Sequence, residues 1–353
     1  MAPLKIHKNV SLAPYTSFGV GGNAENFVIA KSAQELIEIL KNNEISPIWL
    51  LGFGSNVLIS DKGLPGVVIC SRGGEIIFKD TEVYVDAGVW WDDVVSKSIK
   101  KKLWGIELLS QIPGSVGGAL FINIAAYGQA IGNVVKWIDV WDKKDHRLVR
   151  LTSKELVWGY KSSIFQNDEI DGYEIIRACL VLSYEKTDEL KYQKALDVAN
   201  ELKLDVNNIE DRRVIIIESR HRAGSIWDPE KSNTSNTVGS FFRNPQVPPE
   251  QAEYIMSFDE TGKTNTEIKT MNQVHGGDTE RVSAAHVMLA CGFSRGQSWD
   301  RVKLNDYNLL KIEALAGANA QNIFDVVSHI QKVAEEKLGI KLQAEAQILG
   351  EFN

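Results

Sequence analysis

Apolar residues follow two rhythms through the first half of the chain: short β-rich runs and, between them, stretches with an apolar face at helical spacing. SAQELIEIL (32–40) predicts a helix with Ser32 as N-cap, Glu35 completing a capping box, and Leu36, Ile37, Ile39 and Leu40 as the buried face. IWLL (48–51) predicts a buried strand running straight into a glycine turn. Residues 67–69, 83–85 and 137–141 are further strands, and 175–184 is the longest. After Tyr184 the composition shifts. Residues 186–211 are charged and helical in pattern, and 245–272 read as loop with short helical pieces. Ile323, Val326, Val327, Ile330, Val333, Ala334 and Leu338 then recur at helical spacing, with Gly339 placed to cap the helix. The pattern predicts a mixed α+β fold with a domain boundary near residues 185–215.

At 353 residues the chain has room for two or three compact units. A net charge of -7 argues against a nucleic-acid or anionic-membrane partner. No apolar run approaches the roughly 18 residues of a membrane span, and MAPLKIHKNV lacks the apolar core of a secretory signal. Cys70, Cys179 and Cys291 form no C-x-x-C pair, which suggests a reducing cytoplasm. The six histidines show no metal-ligand spacing, so no metal is expected. Nothing demands more than a monomer.

Two glycine-rich loops carry candidate chemistry. GFGSN (52–56) follows the IWLL strand. It is not the dinucleotide fingerprint, because Val57 stands where the third glycine belongs. Gly52 and Gly54 offer free backbone N–H groups, and Ser55 and Asn56 add a hydroxyl and an amide, which suits a pyrophosphate; an ordinary tight turn fits equally well. In IPGSVGGALFINIAAYG (112–128), Gly114, Ser115, Gly117 and Gly118 again supply backbone donors. Ala119, Ala125 and Ala126 would let a flat ring lie close, unless the stretch is simply a packing crossover. Neither loop has a lysine for a triphosphate, so a diphosphate-linked cofactor is expected over ATP. A third stretch, TVGSFFRNP (237–245), sets one hydroxyl, Ser240, against two phenylalanines. That is either a buried serine with its hydrogen bond met locally or a proton donor waiting for substrate.

GFGSN, IPGSVGGA with NIAAYG, YKSSIF (160–165), GSFFRNP and LQAEAQILG (342–350) occur in the order and rough spacing of the UDP-N-acetylenolpyruvoylglucosamine reductase family, which the chain resembles from TSFGVGG (16–22) almost to its end. The resemblance implies an FAD-binding fold of the vanillyl-alcohol-oxidase type. Residues 1–186 would form two α+β subdomains split near 70–85, and 187–353 a C-terminal α+β substrate domain whose segment 340–353 brings Glu345 to the flavin. It implies non-covalent FAD and NADPH as hydride donor. The substrate would be a UDP-sugar enolpyruvyl ether, reduced to UDP-N-acetylmuramate for peptidoglycan precursors. The cofactor would be held by Gly52, Gly54, Ser55, Asn56, Ile112, Pro113, Gly114, Ser115, Gly117, Gly118, Asn123, Ala125 and Tyr127. Ser240 would be the proton donor, and Glu345 would polarise the substrate carboxylate if protonated or assist through water. Asn244 would bind substrate, and Tyr192, in LKYQKALDVANEL (190–202), would close over it.

The chain also departs from the family. Tyr-Arg-x-Ser-x-Phe is here Tyr160-Lys161-Ser162-Ser163-Ile164-Phe165, so Lys161 is the expected enolate-stabilising cation, without the bidentate fork of arginine. NIGAYG has become NIAAYG, with Ala125 adding a methyl group. The lysine expected to touch the substrate phosphates is replaced near RHRAGS (220–225), where Arg222 is the expected substitute, and Lys-x-Ser-Ala-x-Trp is RVSAAH (281–286). These changes leave room for a paralogue acting on another nucleotide sugar or an unsaturated acid. A flavin oxidase of the same fold fits less well, since neither loop holds a histidine or cysteine to tether FAD. A non-catalytic flavin-binding protein would have little reason to keep Ser240, Asn244 and Glu345 together.

Overall fold

The computed structural model of the protein describes residues 5–166, 172–224, 236–259 and 279–353. Its first sheet has the order His7–Ser11, Asn23–Ala30, Leu64–Ser71, Ile48–Leu51, antiparallel at the first pairing and parallel at the other two. Parallel strands need a crossover, and the Ala33–Asn42 helix provides it. The Ser32 hydroxyl accepts from the Glu35 N–H, but the Glu35 carboxylate accepts from Lys31 N–H, one residue before the expected partner. Leu36, Ile39 and Leu40 of this helix meet Val28, Val67 and Ile69 of the first sheet and Trp141 and Ile176 of the second. The helix is therefore the joint between the two sheets.

The second sheet begins at Ile76 and is antiparallel throughout, in the order Arg147–Thr152, Val135–Asp142, Tyr173–Val181, Glu82–Asp86, Ile76–Lys79. The Trp91–Lys100 helix and the short Val116–Phe121 helix bury Trp91, Val94, Val95, Val116 and Leu120 in its core. The stretch 112–128, expected as a glycine loop, thus contains one helical turn and more, capped by Ser115.

The charged segment after Tyr184 forms two helices, Gln193–Leu202 and Ile209–Arg222, broken where Lys203 takes a left-handed φ of 56° and Asn208 caps the second helix. Both pack on the second subdomain, not on the C-terminal unit. Ile215 and Ile216 join Ala195, Val198 and Leu108 in one cluster. Arg212 and Glu107, each with a fully buried side chain, form an ion pair at 2.9 Å, and Arg213 pairs with Asp92 at 2.6 Å.

The C-terminal unit has a three-stranded antiparallel sheet, Ser298–Trp299, Val302–Leu304 and Ile312–Ala314, covered by the helices Ala284–Ala290 and Ala320–Leu338. Gly339 ends the long helix at a φ of 66°. The loop expected over 245–272 contains the helix Pro249–Met256, and its part from 260 onward lies outside the described residues. The last strand, Gln347–Leu349, leaves this unit to pair in parallel with Val57–Ile59 beside the first sheet. Close to this pairing, the Asp61 carboxylate accepts from the N–H groups of Ala320 and Gln321 at 2.9 Å each, so that the first subdomain helps to cap the Ala320–Leu338 helix. Asp61→Ala is expected to lower stability by about 1 kcal/mol, the usual worth of a carboxylate at a helix N-terminus; a urea denaturation midpoint unchanged from wild type would refute this.

Candidate functional site

A cleft of about 530 Å³ opens where the two subdomains and the C-terminal unit meet. That volume is in the range of sites for cofactor-sized ligands. Its wall on one side is the pair of glycine loops, which lock together: Ser55 donates to the carbonyl of Pro113 at 2.9 Å, and Ser115 accepts from the Gly118 N–H at 3.1 Å. A Cβ at Gly52 would sit 2.4 Å from Ser115 Oγ, so only glycine allows this contact. Gly54 holds a φ of +66° with the carbonyl of Tyr15 only 2.0 Å from where a Cβ would be. Arg72 braces the same loop. Its guanidinium lies 5.0 Å from the ring centres of both Tyr15 and Phe53 and donates to the carbonyl of Gly52.

These features fit a flavin dinucleotide. Gly114 and Gly118 line the cleft, and an added Cβ at either would meet only a serine hydroxyl, so the space before them is open. Gly52, Gly54, Ser55, Asn56, Ile112, Pro113, Gly114, Ser115, Gly117, Gly118 and Ala125 all line the cleft, as do Ala119 and Ala126. Asn123 and Tyr127 do not. The Asn123 amide is taken up inside the fold, donating to the carbonyl of Gly159 and accepting from the Gly132 N–H. Tyr127 packs edge to face on Tyr192, ring centres 5.4 Å apart. Gly54→Ala is expected to weaken FAD binding at least tenfold, because the left-handed backbone and the Tyr15 carbonyl both oppose a methyl group. Flavin fluorescence released on dilution reads this directly, and retention equal to wild type would contradict it.

The expected catalytic groups Lys161, Ser240 and Glu345 line the same cleft. YKSSIF folds into a two-residue hairpin in which Trp158 pairs with Ser163 and Gly159 with Ser162, leaving Tyr160 and Lys161 at the tip. Lys161 accepts a φ of 50° there, a conformation unusual for a residue with a side chain. Its ammonium forms an ion pair with Glu345 at 3.1 Å. Burial pushes the Lys161 ammonium down, but the charges of Glu345 and Tyr160 and the hydrogen bond to Glu345 outweigh it and hold its pKa above the ordinary lysine value. The pairing places Glu345 as a partner of Lys161, not as an isolated acid. Arg281 stacks over the Tyr160 ring at 4.0 Å and donates to the carbonyl of Asn244, bracing the hairpin tip. Burial raises the Tyr160 hydroxyl above the ordinary tyrosine range.

Glu345 is fixed by its backbone. Its N–H donates to the carbonyl of Phe241 at 2.7 Å, and its carbonyl accepts from the Asn56 amide at 3.2 Å. The C-terminal segment thereby ties GFGSN to GSFFRNP. Ser240 stands beside Gly239, whose φ of +84° leaves open space where a Cβ would point. Phe241 and Phe242 behind it are buried in the C-terminal core. Among the described residues the Ser240 hydroxyl makes no hydrogen bond, and the side chain lines the cleft. Asn244 also lines the cleft, its side-chain oxygen accepting from the Ala284 N–H at 3.0 Å.

Two expected substrate residues lie elsewhere. Arg222 is turned outward into ion pairs with Glu201 at 2.7 Å and Glu218 at 2.8 Å. Two residues along a helix is more than half a turn, so Arg220, not Arg222, faces the cleft. Tyr192 begins the Gln193–Leu202 helix against Tyr127, so closing over a substrate would require it to leave that contact. Lys311, which sequence reasoning passed over, also lines the cleft and is 1% exposed. A lone lysine inside the apolar run LLKI was the available signal. Among the described residues, no cluster of His, Cys, Asp and Glu could hold a metal ion, and no helix is long and apolar enough to cross a membrane.

Residues 24–152 match the FAD binding domain family, and residues 228–349 match the C-terminal domain of UDP-N-acetylenolpyruvoylglucosamine reductase. Over 352 residues the chain is 28% identical to the UDP-N-acetylenolpyruvoylglucosamine reductase of Thermobifida fusca strain YX, an alignment that spans 97% of this chain and 98% of that one. It is 27% identical to the Escherichia coli K12 enzyme of the same name, over 97% of this chain and 96% of the other. In three dimensions it is similar to the crystal structure of UDP-N-acetylenolpyruvylglucosamine reductase from Thermus caldophilus, with a TM-score of 0.66 at 22% identity, over 98% of this chain and 100% of that one.

Proposed function

We infer, from a chain that belongs to the UDP-N-acetylenolpyruvoylglucosamine reductase family and has its FAD-binding fold of the vanillyl-alcohol-oxidase type, an FAD-dependent oxidoreductase that reduces the enolpyruvyl ether of UDP-N-acetylglucosamine to UDP-N-acetylmuramate. One observation carries this reading: Ser240, Lys161 and Glu345, distant in sequence, line one cleft together with the pair of glycine loops. The glycine loops would hold FAD, which when bound supplies the hydride for the β-carbon of the enolpyruvyl group, with NADPH renewing it.

The chain's own residues handle the charge and the proton. Negative charge grows on the α-carbon and its carboxylate, and the Lys161 ammonium stands ready to stabilise it in a site screened little by water. Glu345 fixes the direction of that ammonium. Ser240 delivers its proton to the α-carbon. A hydroxyl is a weak acid, but the enolate is a strong base held within hydrogen-bond reach, and the buried Phe241 and Phe242 keep competing water away. Asn244 orients the substrate, with its backbone fixed by Arg281. The three cysteines are free and buried, which supports a reducing cytoplasm as the place of work, and the chain is proposed to act as a monomer.

The test is anaerobic. The FAD-loaded protein is reduced with NADPH, the enolpyruvyl substrate is added, and flavin absorbance is followed. Rapid reoxidation supports the assignment. A flavin that NADPH reduces but this substrate leaves reduced would reject the substrate and turn attention to the lysine at position 161.

A further inference from the structure

Lys311 lies opposite Ser240 across an antiparallel bridge, so the two side chains leave the backbone on the same face, toward the cleft. Its ammonium donates to the carbonyl of Ala223 at 2.6 Å and to that of Gly224. Those carbonyls end the helix that carries Arg220, which lines the same part of the cleft. An ammonium has three N–H donors, and two carbonyls leave one. A cation that is 1% exposed and bonded to neutral carbonyls, with burial and Arg220 outweighing the charge of Glu313, is costly and would gain from an anion brought into the cleft.

The other anionic groups of the proposed reaction already have their places. The substrate carboxylate goes to Lys161, and the pyrophosphate of FAD to the glycine loops. We propose that Lys311, with Arg220 beside it, forms the subsite that takes the diphosphate of the nucleotide-sugar substrate. This rests on the reductase reading given above. It also accounts for how the chain manages with Arg222 turned outward: the charge comes from a strand far along the sequence and reaches back to the end of the helix.

The experiment titrates the FAD-loaded protein by calorimetry with UDP and, separately, with inorganic pyrophosphate, in wild type and Lys311→Met. Expected is a loss of UDP affinity of at least tenfold in the variant, together with a rise in KM for substrate that exceeds any fall in kcat. FAD affinity, measured on the apoprotein, should not change. Unchanged UDP affinity overturns the proposal. So does a loss confined to FAD, which would move Lys311 to the cofactor's diphosphate. A wild type that binds pyrophosphate through Lys311 but not UDP would keep a diphosphate site and sink the nucleotide-sugar reading; one that binds neither sinks both.

A second measurement needs no variant. Burial and then Arg220 push the Lys311 ammonium down to about 8. The charged groups facing it are Arg220 from the helix and Glu313 on its own strand. Since only the ammonium form attracts the diphosphate, wild-type affinity for UDP should fall about tenfold between pH 7 and pH 9. A flat profile over that range would overturn the assignment even if Lys311→Met did not fold.

Discussion

Ser240→Ala is expected to slow reoxidation of the reduced flavoprotein by the enolpyruvyl substrate by about 10³-fold, within the range a positioned proton donor contributes, while reduction by NADPH stays within about twofold. The asymmetry follows from where the hydroxyl stands. It lines the cleft beside Gly239, makes no hydrogen bond among the described residues, and is followed by the buried Phe241 and Phe242. Hydride transfer into the cofactor needs no proton at the α-carbon; transfer out to the enolpyruvyl group does. Stopped-flow traces of the two half-reactions separate these steps. Loss of both in Ser240→Ala would mean that the methyl group disturbs the flavin site, and loss of neither would remove Ser240 from the chemistry. Ser240→Cys keeps an ionisable proton in nearly the same place and should recover part of the rate.

The neighbours of Ser240, a glycine that permits close approach and two phenylalanines that must be buried, drew attention to it, but they left a locally bonded serine open, and its expected role came from the family resemblance. The glycine loops were legible for a similar reason, since each combines positive-φ glycines with small polar residues directly after or before a regular element. The Ile209–Arg222 helix was harder to place. Its buried face includes Arg212 and Ser219 alongside Ile209, Ile215 and Ile216, so the apolar stripe is interrupted where Arg212 meets Glu107. That contact spans 105 residues and leaves no local trace in the sequence. The same holds for Lys311, whose carbonyl partners lie 88 and 87 residues away. Arg222 was the natural choice by proximity to the expected lysine, but the helical period turns it outward and turns Arg220 inward. Local pattern identifies elements and small rigid turns; it cannot say which charges two distant segments will bring together.

Lys161→Met should cut the reoxidation rate by about 10²–10³-fold, the usual cost of removing one preorganised charge-stabilising group, and Lys161→Arg should match or exceed wild type by offering a bidentate grip on the carboxylate. A structural objection has to be met, because removing Lys161 also strands Glu345 in a half-buried site and is expected to lower stability by up to about 3 kcal/mol. The double variant Lys161→Met/Glu345→Gln separates the two effects. It removes the stranded charge, so urea unfolding should return most of the stability, yet the rate should stay low because no cation faces the enolate. Recovery of rate together with stability would show that Lys161 acts only by holding the fold. The pH profile adds an independent check. The net effect of its surroundings holds the Lys161 ammonium above the ordinary lysine value of 10.5, so the cation that stabilises the enolate stays charged as pH rises. Lys311 loses its proton near 8. Between about pH 7 and pH 9, therefore, KM for substrate should climb while kcat at saturating substrate holds. A kcat that falls through this range instead would place the titrating cation at the reacting carbon rather than at the diphosphate.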